Sequence, residues 1–302
     1  MENNILLQQI NSAVEQLRWV ELQGIFQEKI QKPPENWFIP EKVSRAILGS
    51  RCPDANQSCM AFAFTHIAIG LADDILDNDL DGLHHHYGTG AVVNMSQALL
   101  ALSFECLTSV HAVKNLSKRL EGVCVGQMLD SMGASTEDEY WNIAYAKSAN
   151  FFAIPFELGG VLANCKQNQM QICSKLGELY GLLVQVGDDI DDCLRPVFTP
   201  DWTYPIRSLP ILFANVVNYP CRDKFVYLQK NLTETSLQDA QDLLIGSGAV
   251  SYCIWKMEHL VLQAHELITQ SDFRDKDTLF ELFGHFSKPI SSLRNLVASQ
   301  RN

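Results

Sequence analysis

Ala72-Asp73-Asp74-Ile75-Leu76-Asp77 and, more than a hundred residues later, Gly187-Asp188-Asp189-Ile190-Asp191-Asp192 are the two stretches on which the reading of this chain turns. Each holds the pattern Asp-Asp-x-x-Asp. On a helix, residues four apart share a face, which sets Asp73 over Asp77 and Asp188 over Asp192. Carboxylates at that density repel one another unless a cation neutralises them. Oxygen-only donors suit a hard divalent ion, and Mg²⁺ commonly joins carboxylates to substrate phosphates. Asp73, Asp74, Asp77, Asp188, Asp189 and Asp192 are therefore the expected metal ligands. The expected arrangement is two helices facing each other across a metal-held diphosphate, and the expected chemistry is metal-dependent reaction of a diphosphate ester.

The rest of the composition fits that reading. The 302 residues are 47% hydrophobic, enough for a substantial core, and only 19% charged. Net charge is −12, and nine of the 35 acidic residues lie within Asp73–Asp81 and Asp188–Asp192. Nucleic-acid binding needs a basic face and is excluded as an expectation. Nine cysteines are scattered singly with no Cys-x-x-Cys pair, which points to reduced thiols and a cytoplasmic location rather than disulfides or zinc. Met1-Glu2-Asn3-Asn4 lacks the basic start of a signal peptide. The longest near-apolar run, Met60 to Ala72, is too short to span a bilayer, so no transmembrane segment is expected.

Helical periodicity recurs along the chain, and no β alternation or solenoid repeat accompanies it. The pattern predicts helices over Ile5–Ile30, Glu41–Leu48, Met60–Asp77 (capped by Asp54-Ala55-Asn56-Gln57), Gly90–Ala112, Leu116–Met132 and Thr136–Ala163. Thr136-Glu137-Asp138-Glu139 is a capping box with acidic first-turn residues. Further helices are predicted over Gln169–Asp192, then, after the Pro-rich passage Pro196–Pro210, over 211–217, 223–232, 236–247, 248–270 and 275–299. The fold class is all-α, one domain over residues 1–302.

With both motifs on helices, the chain resembles the trans-isoprenyl diphosphate synthases and the class I terpene synthases that share their fold. The resemblance runs from about Ala61 to Ala214. His66 stands seven residues before the first motif, as in the family, although Ala63 replaces the usual Glu. Gly126-Gln127-Met128-Leu129-Asp130 fits the family's Gly-Gln-x-x-Asp, Lys147-Ser148 stands for Lys-Thr, and Tyr180-Gly181 with Gln185 precedes the second motif. The resemblance implies a single-domain helical bundle of the isoprenoid synthase type around a central apolar cavity. It implies three Mg²⁺ ions, with Asp73 and Asp77 holding two and Asp188, with Asp192 nearby, the third. Lys147 would pair with the diphosphate of an allylic isoprenoid, and Gln185 and Gln127 would orient groups around it. Phe62, Phe64, Phe151, Phe152 and Phe156 are candidate aromatic faces for the carbocation, with Phe151, Phe152, His66 and Gly181 expected at the substrate. Homodimerisation is expected by resemblance alone.

Departures from the family bear on the reaction. Elongating members carry Lys and Arg clusters for isopentenyl diphosphate before and after the first motif. Here Gly49-Ser50-Arg51-Cys52-Pro53 is a poor substitute, no Lys or Arg occurs between Arg51 and Lys114, and His84-His85-His86 occupy the region of the second cluster. After Asp192 only Arg195 and Arg207 remain where the family has Gly-Lys. Keeping the cations for one diphosphate while losing those for the other favours a class I terpene synthase that ionises and cyclises a linear allylic diphosphate. The alternative is a prenyltransferase using isopentenyl diphosphate or a non-diphosphate acceptor. A non-catalytic partner subunit ranks third, because such chains commonly lose their aspartates. The retained second Asp-Asp-x-x-Asp counts against a microbial cyclase, which usually carries an Asn-Ser-Glu triad there. In the elongating family, bulky residues four and five positions before the first motif close the pocket floor; Ile69 and Ala68 stand there in this chain, and the resemblance thus implies a floor open enough for a C15 to C20 or longer chain.

Several of these motifs also have a plainer reading. Asp77 to Gly82 resembles half of an EF-hand loop, but Gly88 stands where the bidentate Glu belongs. The three histidines read as an exposed turn, Lys147 without the family match reads as a surface lysine, and the phenylalanines are core by default.

Overall fold

Helical spacing of apolar residues without strand-like alternation produces a chain that is 79% helical, with no strand among the described residues. The computed structural model describes residues 2–299. In order, the helices are α1 (Glu2–Gln16), α2 (Val20–Gln31), α3 (Ile39–Leu48), α4 (Ala55–Leu76), α5 (His84–Tyr87) and α6 (Thr89–Glu105). There follow α7 (Val110–Met132), α8 (Glu137–Ala144), α9 (Asn150–Leu162) and α10 (Gln167–Leu194). The remainder are α11 (Leu209–Val216), α12 (Arg222–Lys230), α13 (Leu237–Gly246), α14 (Ala249–Gln270), α15 (Asp277–Gly284) and α16 (Ser287–Ser299).

Four of the expected long helices are interrupted. The first breaks at Leu17-Arg18-Trp19, where Arg18 adopts a left-handed φ of 52°. No Gly or Pro marks the place. The break lets α1 bury Leu6, Ile10 and Val14 and α2 bury Leu22 and Phe26 while the two helices pack together. The expected helix over 136–163 is divided by a π-helical segment, Tyr145–Ala149, between α8 and α9. The stretch 275–299 is two helices, separated by His285-Phe286. Similarly, the helix expected over 90–112 ends at Glu105, and α7 begins at Val110. The predicted capping box is present: Glu139 N donates to Thr136 Oγ1 at 3.2 Å, and Thr136 N donates to Glu139 Oε2 at 3.2 Å. Asp54 stands at the N-cap of α4 but makes no capping hydrogen bond; Asn56 instead bonds Arg51 and Gln9.

Contacts gather into two compact units. The first comprises the chain through Lys118 with Ile154–Ser174 and Ser271–Leu279; the second comprises Arg119–Ala153, Lys175–Gln270 and Phe280 onward. In the first unit α4 lies chiefly against α6, with α3 and α1 also packed on it. Trp37, Phe26, Phe62, Phe64 and Met95 are fully enclosed there, each large side chain contributing about 1.5–3 kcal/mol by leaving water. In the second unit α11, α13 and α14 enclose Trp202, Phe225, Ile211 and Leu244.

Helix α4 is 22 residues long and, by length and composition alone, long and apolar enough to cross a membrane. The apolar run on which the sequence expectation rested, Met60 to Ala72, is only part of that helix. Within the first unit α4 buries Ala55, Cys59, Ala61, Phe62, Ala63, Phe64, Ile67, Ala68 and Leu71 and carries the first aspartates at its C-terminal end. All nine cysteines are free thiols.

Candidate active site

The first aspartate set closes α4. The helix ends at Leu76, Asp77 is its C-cap, and Asp77 N donates to Asp73 O at 2.9 Å. Asp73, Asp74 and Asp77 are half-buried. Asp74 is pushed up to about 6, first by its partial removal from water and then by the charges of Asp79 and Asp73. The acidic loop that follows is held by the histidines: His85 Nε2 lies 3.0 Å from Asp79 O, and His84 and His85 pack ring on ring at 4.0 Å. These histidines form the short helix α5, and among the described residues they converge on no metal-binding cluster.

His66 sits about two turns before Asp73 and is half-buried. Its Nδ1 accepts from Trp37 Nε1 at 3.1 Å, and its ring stacks on Phe62 at 6.0 Å. An imidazole nitrogen that accepts must be unprotonated. Burial, with Lys29 adding to it, lowers His66 to about 4. Ala68 is fully buried, and its carbonyl accepts from Ser96 Oγ on α6 at 2.7 Å. Ile69 beside it is half-buried. Of the aromatic candidates, Phe62, Phe64 and Phe156 are fully enclosed core residues.

In the second unit the π-helical segment organises the site. A π turn carries an extra residue and shifts the side chains that follow it. The turn is pressed between two glycines on neighbouring helices. A Cβ on Gly126 of α7 would lie 2.2 Å from Lys147 N, and one on Gly181 of α10 would lie 2.2 Å from Ser148 O. Gly181, expected at the substrate, is thus the point where α10 touches the π segment's backbone. Lys147 Nζ donates to Asp130 Oδ2 at 2.8 Å, which joins the Gly-Gln-x-x-Asp segment of α7 to the π turn. Gln127, on the same helix, is half-buried. Phe151 and Phe152 follow on α9 with only 9% and 7% of their surfaces exposed, their rings 5.1 Å apart and edge to face. Phe152 also meets Tyr180 at 5.3 Å.

The second aspartate set lies near the end of α10. The Asp188 carboxyl is pushed up to about 6, first by desolvation and then by the charges of Asp192 and Asp191. Asp192 is ion-paired with Arg195 at 3.1 Å. Asp189 differs. It is 3% exposed, Oδ1 accepts from Gln185 Nε2 at 2.8 Å, and Oδ2 accepts from the Tyr140 hydroxyl at 2.7 Å and from Leu209 N at 2.8 Å. Burial pushes Asp189 up to about 7 against the opposing pull of those hydrogen bonds. Gln185 Oε1 in turn accepts from Ser148 Oγ. The motifs pointed to Asp189, Gln185 and Ser148. Nothing in them pointed to Tyr140, which lies outside every motif, or to Leu209, which contributes only a backbone amide.

The donor chemistry fits a hard divalent cation. At each motif half-buried or desolvated carboxylates raise one another's protonation, a repulsion that a cation relieves. No three such side chains among the described residues form a ready-made cage.

Residues 42–216, which include both aspartate sets and Lys147, match the sequence pattern of the family described as polyprenyl synthetase. A geranylgeranyl diphosphate synthase from Methanosarcina mazei is 25% identical over 166 residues, 49% of this chain and 51% of its own. The chain spans about half the length of the curated relatives it matches. The structure of a decaprenyl diphosphate synthase from Rhodobacter capsulatus shares the fold, with a TM-score of 0.83, 17% identity and 96% of each chain covered. So does a geranylgeranyl pyrophosphate synthase from Corynebacterium glutamicum complexed with calcium and isoprenyl diphosphate, with a TM-score of 0.78, 17% identity and 96% of each chain covered. With a match extending over more than half of its length, this chain belongs to the polyprenyl synthetase family.

Proposed function

We propose that the chain is a divalent-metal-dependent prenyltransferase that moves the isoprenyl group of an allylic diphosphate to a second substrate, within one isoprenoid-synthase-like domain over residues 1–302. The observation that carries this is the family match over 42–216, which takes in both aspartate sets and the π turn bearing Lys147. The names of the relatives support transfer over cyclisation, which reverses the order in which sequence alone placed the two. The Corynebacterium synthase, complexed with calcium and isoprenyl diphosphate, supports a divalent ion at an isoprenoid diphosphate in the family.

Asp73 and Asp77 on α4, and Asp188 with Asp192 on α10, are the residues that would hold Mg²⁺, three ions by resemblance. Bound there, the metal supplies positive charge to the leaving diphosphate. The chain's own residues supply the rest. Lys147, partly buried and oriented by Asp130, adds a fixed positive charge for the diphosphate. Ser148 and Gln185 present polar atoms beside it, while Phe151 and Phe152 bring aromatic faces that suit a carbocation. Isopentenyl diphosphate is the acceptor that the relatives support. A non-diphosphate acceptor is favoured by one observation, the absence of any Lys or Arg between Arg51 and Lys114, with Arg51 itself paired to Glu41 and Asn56. The active form is a homodimer in this reading, checked by sedimentation.

Incubation with Mg²⁺ and C10, C15 or C20 allylic diphosphates, with and without isopentenyl diphosphate, tests the reaction by mass spectrometry. Longer diphosphates formed only with isopentenyl diphosphate are the expected result. A cyclic hydrocarbon or alcohol formed without it would instead establish the cyclase.

A further inference from the structure

Asp189 belongs by sequence to the second metal motif, but its surroundings are those of an internal anchor. Successive residues on an α-helix are turned by about 100°, so Asp189 cannot share the face on which Asp188 and Asp192 lie one above the other. Three donors converge on its carboxylate from three elements: Gln185 Nε2 on α10, the Tyr140 hydroxyl on α8, and the amide of Leu209 at the start of α11. Each of its oxygens is already engaged inside the second unit.

We propose that Asp189 is a positioning residue, fixed by Tyr140 and the Leu209 amide, that holds the side-chain amide of Gln185 in one of its two orientations. With the Tyr140 hydroxyl and the Leu209 amide both donating to Oδ2, Asp189 presents Oδ1 as an acceptor, which selects the NH₂ side of Gln185. The carbonyl side is thereby turned to Ser148, whose hydroxyl donates to it. The reversed amide would set its oxygen against the Asp189 carboxylate and leave a buried acceptor pair without a proton between them. Tyr140 is the remote member of this chain and acts on Gln185 only through Asp189. Gly181, against Ser148 O, brings the Ser148 end of the chain up to α10. Asp189 thereby fixes which atoms the Gln185–Ser148 pair can turn to a bound allylic group. That last step rests on the prenyl-transfer reading; the orientation of Gln185 does not.

The test therefore has two independent readouts. In ¹⁵N-labelled protein, the Gln185 side-chain amide pair is identified by its loss in Gln185→Leu. Tyr140→Phe, which removes one hydroxyl from a buried site, and Asp189→Asn are both expected to shift that pair and speed its exchange with water. Unchanged Gln185 signals in both variants would overturn the proposal, whether or not the protein proves to be a prenyltransferase. For catalysis, Tyr140→Phe is expected to lower kcat about tenfold with KM within about twofold, and Mg²⁺-dependent binding of inorganic diphosphate is expected to stay at the wild-type level. Loss of that binding in Asp189→Asn to the extent seen in Asp188→Asn would make Asp189 a metal ligand and end the positioning role. A wild-type protein that binds no diphosphate would defeat the prenyl-transfer reading, and the amide signals would still decide the orientation of Gln185.

Discussion

Lys147 Nζ lies 2.8 Å from Asp130 Oδ2, joining the π-helical turn to α7 through a pair in which both side chains are less than one-fifth exposed. A lysine so placed is held in one position, ready to face a second anion. Removing it leaves Asp130 with a largely buried and uncompensated charge. Lys147→Ala is expected to cost about 1–3 kcal/mol in chemical denaturation and to lower kcat by a factor of about 100. Lys147→Arg, which keeps the charge, should recover most of the stability and little of the rate, because the guanidinium places its donors differently.

The π turn depends on backbone contact at two glycines. A methyl group at Gly126 or at Gly181 would fall 2.2 Å from backbone atoms of Lys147 or Ser148, which no side-chain rotation can relieve. Gly126→Ala and Gly181→Ala are each expected to destabilise by about 3 kcal/mol or more, or to prevent soluble expression. Gly24→Ala, where nothing lies within 4 Å, is the control and should leave the thermal midpoint within a degree or two or raise it slightly.

His66 makes stability depend on mildly acidic pH. Its pKa falls from 6.5 unfolded to about 4 folded, because burial, and after it the charge of Lys29, favours the neutral ring. Between those values the unfolded chain binds the extra proton, so stability is full above about pH 6.5 and declines as pH falls towards 4. The loss amounts to about 2–3 kcal/mol. Thermal midpoints across that range should fall less steeply in His66→Gln, whose carbonyl still accepts from Trp37. An equal slope in both proteins would show that other groups carry the acid sensitivity.

Chain length can be probed one residue away from the obvious place. Ala68 is fully buried with its carbonyl bonded to Ser96, so Ala68→Phe overpacks the contact between α4 and α6 and should cost about 1–3 kcal/mol irrespective of substrate. Ile69 is only half-buried and can change size with less strain. Ile69→Phe is expected to shorten the product distribution at unchanged stability. An unaltered distribution would remove residues 68 and 69 from the determinants of length.

Much of this was legible in the sequence because it follows local rules. The 3.6-residue period placed α3, α10 and α14 within a few residues, and Thr136 with Glu139 announced the start of α8. What escaped was set by tertiary contact. Nothing around Arg18 signals a break, since the turn exists so that α1 and α2 can pack together. The π turn carries no residue signature; it shows only in the close approach of Gly126 and Gly181 from elsewhere in the chain. Nothing near His66 in the sequence announces that Trp37, 29 positions away, donates to its ring nitrogen. Tyr140 and Leu209 complete Asp189 across 49 and 20 residues, separations over which no local pattern extends.

The central claim is that both aspartate sets serve one metal-dependent transfer. The most direct measurement is diphosphate release from an allylic isoprenyl diphosphate as Mg²⁺ is titrated, for the wild type, Asp73→Ala and Asp188→Ala. The account predicts metal-dependent release by the wild type and losses of at least about 100-fold in both variants, with thermal midpoints little changed or raised as like charges are removed. Release that needs no divalent metal, or that survives in either variant at the wild-type rate, would contradict it.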